Sequence, residues 1–434
     1  MDLTGMALRA VAARPHVLLA ATPGGAAARV AAESHLRRRD WPLASTPAQA
    51  DVLFVAGPDC PALEAALQRL WQDMPAPRTR VRARDADEVT DALDAARGNL
   101  RLRPGRPTVR RRGSPPAGPA GSDAHRQHDR HAPGGQDAHD GHGSGDPEGQ
   151  DEHGSGEHGH GGHGGDTAEM PGGLPMAEQG EDRDGLTLDR LHVPLGPFLA
   201  DWPAGLVVRL VLQGDVVQRA DLEEPPPPAA APAHPFWTRP WLRAAAGEPV
   251  RTGEAVRRRA AAHLDSLGRL LGVAGWPVEA TRARRLRDDL LDGAPAAVVA
   301  PRLEPLARRV GRSRTLYRLT RGMGVVTTAD AEASGVSGPA ARAGGDVPAR
   351  YRQWLAAIRG DVPRLDDRSP LDPALDEGPR GRWDAERPPS AALAALLPRL
   401  LDGAELAAAR LVVASLDPDP DELAACPREV RARG

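Results

Sequence analysis

The residue types best suited to chemistry in this chain are histidines, and most of them fall in one short segment. Of the 14 histidines, nine lie between residues 125 and 163, the last four within "EHGSGEHGHGGHGG" (152–165). Neutral imidazoles bind nickel, zinc or copper, but flexible glycine spacing implies no fixed geometry and no supporting hydrogen bonds. We favour a solvated tether, with a tract that binds nickel or zinc as the alternative. The histidines concerned are His125, His128, His131, His139, His142, His153, His158, His160 and His163.

Thiolate chemistry is nearly absent. The chain has only two cysteines, Cys60 and Cys426, far apart in the sequence. They cannot provide a disulfide framework, a thiolate zinc site or an iron–sulfur cluster. We therefore expect no cofactor in the folded regions. We also assign no catalytic residues, since no serine–histidine–aspartate spacing is evident.

The charge balance excludes one class of function. The 56 cationic residues, all arginines, face 59 acidic ones, a formal net charge of -3, so no global field favours nucleic acid. No apolar run reaches the length of a membrane span, and "HVLLAA" is too short for a signal peptide, which favours a cytoplasmic protein. The arginine clusters are interpreted as solvated helix faces, with an acidic partner subunit as the alternative. These clusters are 37–39, 257–259 and 308–309.

Three smaller features receive structural interpretations. His263 lies among alanines and leucines on a helix face with no carboxylate three or four residues away, which is typical of a core histidine whose hydrogen bonds are satisfied. The glycine-rich stretches 322–326 and 338–345 are interpreted as turns, and the first does not fit a dinucleotide-binding fingerprint.

Strands and helices alternate in residues 1–98. "HVLLAA" (16–21) and "ADVLFVAG" (50–57) predict buried parallel strands, and helical spacing follows each at 27–39 and 60–74. "VRARDADEVTDALDAA" (81–96) predicts a further strand and helix. The alternation predicts a doubly wound α/β domain.

Residues 99–185 are dominated by Gly, Pro, His, Asp and Ser, which predicts a disordered linker. A second folded domain is expected over 186–434. It begins with a hairpin around Gly214 within 205–223 and a proline tract at 223–235. The remainder is predicted to be mainly helical, an α+β domain. Its predicted helices are 253–275, 278–293, 303–313 and 349–362, followed over 391–425 by one helix and one apolar run halted by prolines.

Two stretches carry a resemblance to a pair of subunits. "STPAQADVLFVAGPDCPALEAALQRLWQDMPAPRTRV" (45–81) resembles the cluster-carrying small subunit of NADH-quinone oxidoreductase (complex I) and of membrane-bound [NiFe]-hydrogenases, which implies a flavodoxin-like N-terminal domain. "LTRGMGVVTTADAEASGVSGPAARAGG" (319–345) resembles the R-T-x-G-x-G…G-P-x-x-R-x-S-G pattern of their large subunit. The hairpin, the helix pair at 253–293 and "LVVASLDPDPDEL" (411–423) are similar to that subunit as well. Together they resemble a fusion of the two subunits.

The metal ligands that the resemblance implies are missing. The loop "ATPGGAAARV" (21–30) and the stretch "VRARDAD" (81–87) lack the cluster cysteines, and Cys60 is not at a ligand position. Where hydrogenases have D-P-C-x-x-C, this chain has Asp417-Pro418-Asp419-Pro420-Asp421. Aspartate is a hard oxygen ligand and does not replace the thiolates of a nickel–iron site.

The quinone site of the complex I type is also not matched. Its histidine-bearing turn is replaced by "GPFLADWPAGL" (196–206), and Tyr317 and Tyr351 are not at matching positions. The favoured function is therefore a redox-silent structural or regulatory subunit of a complex I-like or hydrogenase-like membrane complex, peripheral at the inner face of the membrane. Two alternatives remain: a quinone-binding or electron-transfer subunit, and a metal-handling or assembly protein built around the histidine tract.

Overall fold

A parallel sheet forms the centre of the N-terminal part. The computed structural model describes residues 13–101, 178–181, 187–230 and 233–425. The sheet consists, in spatial order, of β1 (Val17–Ala21), β2 (Val52–Ala56) and β3 (Thr79–Ala83). All five residues of β2 are buried, as expected for a strand covered on both faces. Its register pairs Val52 with Val17 on one side and with Thr79 on the other.

Helices cover both faces of this sheet. They are α1 (Ala26–Arg38), α2 (Glu64–Gln72) and α3 (Val89–Arg101). α1 and α3 share a core with Phe54, whereas Leu67 of α2 packs with Leu53 and Val55 on the opposite face. The predicted α/β character is confirmed; the flavodoxin-like detail stays a prediction.

An antiparallel sheet follows, and it is larger than the predicted hairpin. Its strands are, in spatial order, β4 (Glu178–Glu181), β5 (Thr187–Leu195), β6 (Val207–Gln213) and β7 (Val216–Glu223). The hairpin between β6 and β7 turns at Gly214, whose φ of 59° suits glycine. β5, which pairs with β6 from Arg190 to Leu195, was not predicted because its polar residues and Pro194 hide the alternation.

Helices account for nearly all the regular structure after residue 238. They are α4 (Arg239–Ala245), α5 (Thr252–Val273), α6 (Pro277–Leu291), α7 (Ala296–Gly311), α8 (Arg314–Thr320), α9 (Thr328–Ala333), α10 (Gly338–Ala343), α11 (Val347–Asp361), α12 (Pro389–Ala395), α13 (Leu397–Leu401), α14 (Leu406–Leu416) and α15 (Pro420–Ala425). α5 is buried on nearly every side and packs against α6, α11 and α14. The mainly helical prediction is therefore confirmed.

Three sequence predictions need correction. The glycine-rich stretch 338–345 is helical up to Ala343, and Gly338 is required because a Cβ there would lie 2.5 Å from the Cα of Gly381. The apolar run before the prolines is a helix, α14, which ends at Leu416, and the following Asp417 has the left-handed conformation (φ 48°). The predicted linker also overlaps the end of α3 and all of β4, because main-chain pairing with β5 extends the sheet into it.

Residues on either side of 105–176 pack into one unit. The division into domains at 98 and 185 stays a prediction. Among the described helices, none combines the length and apolar character needed to cross a bilayer.

Candidate functional site

The loop between β1 and α1 is where the resemblance would place the first cluster cysteine. Gly25 allows the loop to approach β2 closely, since a Cβ on Gly25 would lie 2.3 Å from the carbonyl oxygen of Ala56. The N–H groups of Gly24 and Ala26 donate to the two carboxylate oxygens of Asp421, at 2.7 and 3.3 Å. The loop therefore receives its anionic partner from α15 of the same chain.

Asp421 is buried beside another carboxylate. Burial, and next the charge of Asp419, raise the pKa of Asp421 to about 7, although the two backbone N–H groups oppose the shift. The neighbouring Glu422 is also buried and accepts a hydrogen bond from the main chain of Ser390 at 3.2 Å. Burial and the charge of Asp419 raise the pKa of Glu422 to about 7.

A buried ionic network joins α1 to α5 and α6. Asp265 on α5 accepts from Arg29 at 2.7 Å and from Arg287 at 2.5 Å. Arg287, which is fully buried, also donates to Glu33 at 2.9 Å. Burial alone would raise the pKa values of Asp265 and Glu33, but the surrounding guanidinium groups outweigh it and hold both pKa values low. Both carboxylates are therefore charged and each has several cationic partners.

The same network continues to the segment that resembles the hydrogenase ligand motif. The two carboxylate oxygens of Asp417 lie 2.6 Å from Arg269 and 2.7 Å from Arg380, and Ser266 donates to one of them at 2.5 Å. The left-handed backbone of Asp417 turns the chain so that its carbonyl oxygen also accepts from Arg380 at 2.6 Å. The charge of Asp417 is therefore compensated by two arginines, although its Oδ1 forms an ion pair rather than a hydrogen bond.

These donors do not fit the metal groups that the resemblance implies. A nickel–iron or iron–sulfur centre requires several thiolates, and the single cysteine in the described ranges is Cys60. Its sulfur is buried 3.6 Å from the carbonyl oxygen of Pro227, and burial raises the pKa of this thiol. Within the same ranges, no three His, Cys, Asp or Glu side chains are grouped as a metal site would require.

A crevice of about 540 Å³ lies beside this network, between the N-terminal part and the loop 197–204. Arg284 donates to Asp201, and burial raises the pKa of Asp201. The crevice was not predicted, because its walls come from segments far apart in sequence. Its lining combines apolar Leu18, Trp41, Phe198 and Trp202 with basic Arg37 and Arg284.

The arginine clusters behave differently from one another. Arg37 forms an ion pair with Asp288 on α6, and Arg38 with Asp292 just after it. The cluster 257–259 is partly buried among carbonyl and carboxylate oxygens. Their interpretation as solvated faces is therefore wrong for Arg37 and for the cluster 257–259, which join separate elements of the fold, whereas Arg38 is exposed as predicted. Arg308 and Arg309 are exposed, as predicted.

The remaining predicted residues do not converge on one site. His263 is buried as predicted, and its Nε2 has no hydrogen-bond partner among the described residues, so the prediction that its hydrogen bonds are satisfied stays a prediction. Tyr351 is buried on α11, whereas Tyr317 is exposed on α8. The nine tract histidines lie outside the described residues, and their metal binding stays a prediction.

Comparison with known proteins gives weak structural similarity. No protein-family model and no curated protein matches the sequence. Among solved structures, a chain of the membrane-bound sulfane sulfur reductase, an archaeal respiratory membrane complex, matches with a TM-score of 0.38 and 16% identity. The match covers 54% of this chain and 98% of that one.

Proposed function

We propose that this protein is a redox-silent structural or regulatory subunit of a complex I-like or hydrogenase-like membrane complex. The observation that carries the proposal is that carboxylates stand in the thiolate segment at 417–422, and that groups of this chain hold them. Asp417 is held by Arg269 and Arg380, and Asp421 is held by the loop at Gly24. Counted from Asp417-Pro418, the thiolates of D-P-C-x-x-C would fall at Asp419 and Glu422. Glu422 accepts from the main chain of Ser390 at 3.2 Å, and Asp419 lies 3.8 Å from Arg380.

Charge balance supports a structural role for this network. A buried carboxylate costs several kcal/mol unless cations and hydrogen bonds compensate it. Asp265 and Asp417 are both compensated by at least two arginines that come from other elements. A network of this kind fixes the relative positions of α1, α5 and α6, which suits a rigid scaffold better than a centre that changes charge during turnover.

The first experiment tests the absence of redox chemistry. The full chain is purified anaerobically beside a variant lacking residues 122–166, and bound iron, nickel and zinc are measured in both. We expect substoichiometric iron in both proteins and no paramagnetic signal on reduction. Stoichiometric iron with a cluster spectrum in both would refute the proposal. Nickel or zinc lost together with residues 122–166 would instead favour a metal-handling function of the histidine tract.

The second experiment tests membership in a membrane complex. The tagged chain is isolated from gently solubilised native membranes and sized. We expect it to co-purify in stable stoichiometry with integral membrane subunits. Recovery of the whole population as a free chain in the soluble fraction would contradict the proposal.

The crevice between residues 18–45 and 197–204 supports a second candidate, a subunit that binds a quinone. Its lining of aromatic and basic side chains suits a ligand with a flat polar head group and an apolar tail. Short-chain quinone analogues should then quench tryptophan fluorescence saturably. Ala200→Trp, at an exposed lining position, should abolish this binding. Quenching that does not saturate, or that A200W leaves unchanged, would rule this function out.

A further inference from the structure

A small polar cavity lies on the far side of Asp417, among α5, α10, α11 and α14. Its volume is about 20 Å³. We call it the His263 cavity and define it by its polar lining, which is His263, Ser266, Arg350, Arg380, Ser415 and Asp417. All six residues are buried.

Arg350 is the feature of the cavity that most needs explanation, because its charge is buried without a counter-ion. Only 1% of the residue is exposed, and no ion pair to it occurs among the described residues. Its acceptors are neutral: the carbonyl oxygens of Gly324 and Gly345, at 2.8 and 2.9 Å, and the hydroxyl of Ser415, at 2.8 and 3.1 Å. These four bonds leave one of the five guanidinium N–H groups without an acceptor.

The nearby carboxylates do not neutralise Arg350. Asp417 lines the cavity, but its charge is matched by Arg269 and Arg380. Asp346 is close enough to oppose the fall in the pKa of Arg350, yet burial dominates and lowers that pKa to about 10. The oxygens of Asp346 accept instead from the main chain of Gly322 and Ala349.

His263 supplies a second, independent observation. It is 2% exposed, and its buried Nε2 has no hydrogen-bond partner. Burial, followed by the charges of Arg259, Arg380 and Arg342, lowers the pKa of His263 to about 3, so the ring is neutral. A neutral imidazole that carries its proton on Nε2 is a donor. These three arginines are paired with carboxylates, so among the described residues the uncompensated charge at the cavity is that of Arg350.

The volume of the cavity limits the ligand to a single non-hydrogen atom. A cavity needs about 10–15 Å³ to hold one water. A volume of about 20 Å³ therefore admits a single water or a single halide ion. A polyatomic anion such as nitrate or sulfate is too large. A water would satisfy hydrogen bonds but would leave the charge of Arg350 uncompensated.

We propose that the His263 cavity binds one monatomic anion, chloride, between the free N–H of Arg350 and Nε2–H of His263. The ion neutralises the charge of Arg350 and satisfies both unpartnered groups at once. This site is independent of the proposed function, because it requires neither a partner subunit nor a redox centre.

The test measures thermal and urea unfolding of the full chain in sodium chloride, sodium bromide or sodium gluconate at constant ionic strength. Because chloride binds only the folded state, the unfolding constant should fall by the factor 1 + [Cl⁻]/Kd. For a Kd of about 10 mM, 100 mM chloride lowers it about tenfold. Bromide should act similarly, and gluconate should have no effect.

Three variants locate the effect. Arg350→Met should abolish the chloride dependence, whereas Arg352→Met, on the exposed side of the same helix, should retain it in full. Ala340→Val adds bulk at the cavity wall without removing a charge, and it decides the outcome if R350M fails to fold. Equal stability of the wild type in chloride and gluconate would overturn the proposal in favour of a water. A chloride effect that persists in A340V would place the ion elsewhere and overturn it as well.

Discussion

The ionic network predicts a large penalty for neutralising Asp265. The Asp265→Asn substitution keeps the size of the side chain but removes its charge. Asp265 is 1% exposed and pairs with Arg29 and Arg287 at 2.7 and 2.5 Å. After the substitution, the fully buried Arg287 keeps only Glu33 and Asp288 as anionic partners.

The expected loss follows from the cost of an uncompensated buried charge. Removing one member of a buried ion pair costs about 3–5 kcal/mol. We expect D265N to lower the free energy of unfolding by that amount. Removing Arg287 as well relieves the imbalance, so the loss in D265N/R287M should fall short of the sum of the two single losses by about 2 kcal/mol.

Urea unfolding followed by far-UV circular dichroism measures these differences. The matched control is Asp221→Asn, which breaks the exposed pair between Arg219 and Asp221 at 2.8 Å and should cost less than about 1 kcal/mol. A loss below about 1 kcal/mol for D265N, or strictly additive losses in the double variant, would refute the role assigned to the network.

Three further predictions concern other parts of the fold. Burial raises the pKa of Asp421 to about 7, from the ordinary value of 3.8. Between about pH 4 and pH 7 the folded state therefore binds more protons than the unfolded state, and the free energy of unfolding falls as the pH rises. The difference in urea stability between wild type and Asp421→Asn should change with pH by up to about 1.4 kcal/mol per unit, and a flat difference would contradict the shift. Gly25→Ala should destabilise by about 2–4 kcal/mol, because its Cβ would meet Ala56 at 2.3 Å; a near-neutral melting temperature would contradict that contact. Leu267→Ala should cost about 2–5 kcal/mol in the same assay, whereas Leu375→Ala, at an 85% exposed residue, should cost almost nothing.

Local patterns in the sequence were sufficient for most of the elements. The apolar run at 52–56 and the helical spacing of α5 predicted both elements to within a few residues. α7 was predicted over 303–313, yet it begins at Ala296 and so contains both Pro301 and Pro305. Burial of Val299 and Leu303 against the core outweighs the missing N–H donors.

One part of the candidate site, the missing thiolates, could be predicted from the sequence, and the other part, the buried ionic network, could not. The absence of thiolates at 417–421 and in the loop after β1 could be read directly from the residues. The ionic network beside these segments could not be predicted, since Arg29 and Asp265 are 236 residues apart. On an isolated helix, the spacing of the arginines of α1 predicts that they face solvent. In the structure α5 and α6 pack against α1 and partly bury them.

The bonds from Gly24 and Ala26 to Asp421 have a consequence for the order of folding. They connect residues 397 and 395 positions apart, so the loop after β1 gains its carboxylate only when α15 has left the ribosome. At about 5–20 residues per second, that delay is roughly 20–80 s. During this delay the hydrophobic core of the N-terminal sheet can already form, but the N–H groups of this loop lack the carboxyl group of Asp421 as their acceptor. A nascent chain released before residue 421 should therefore be the form most exposed to cellular proteases and most dependent on chaperones.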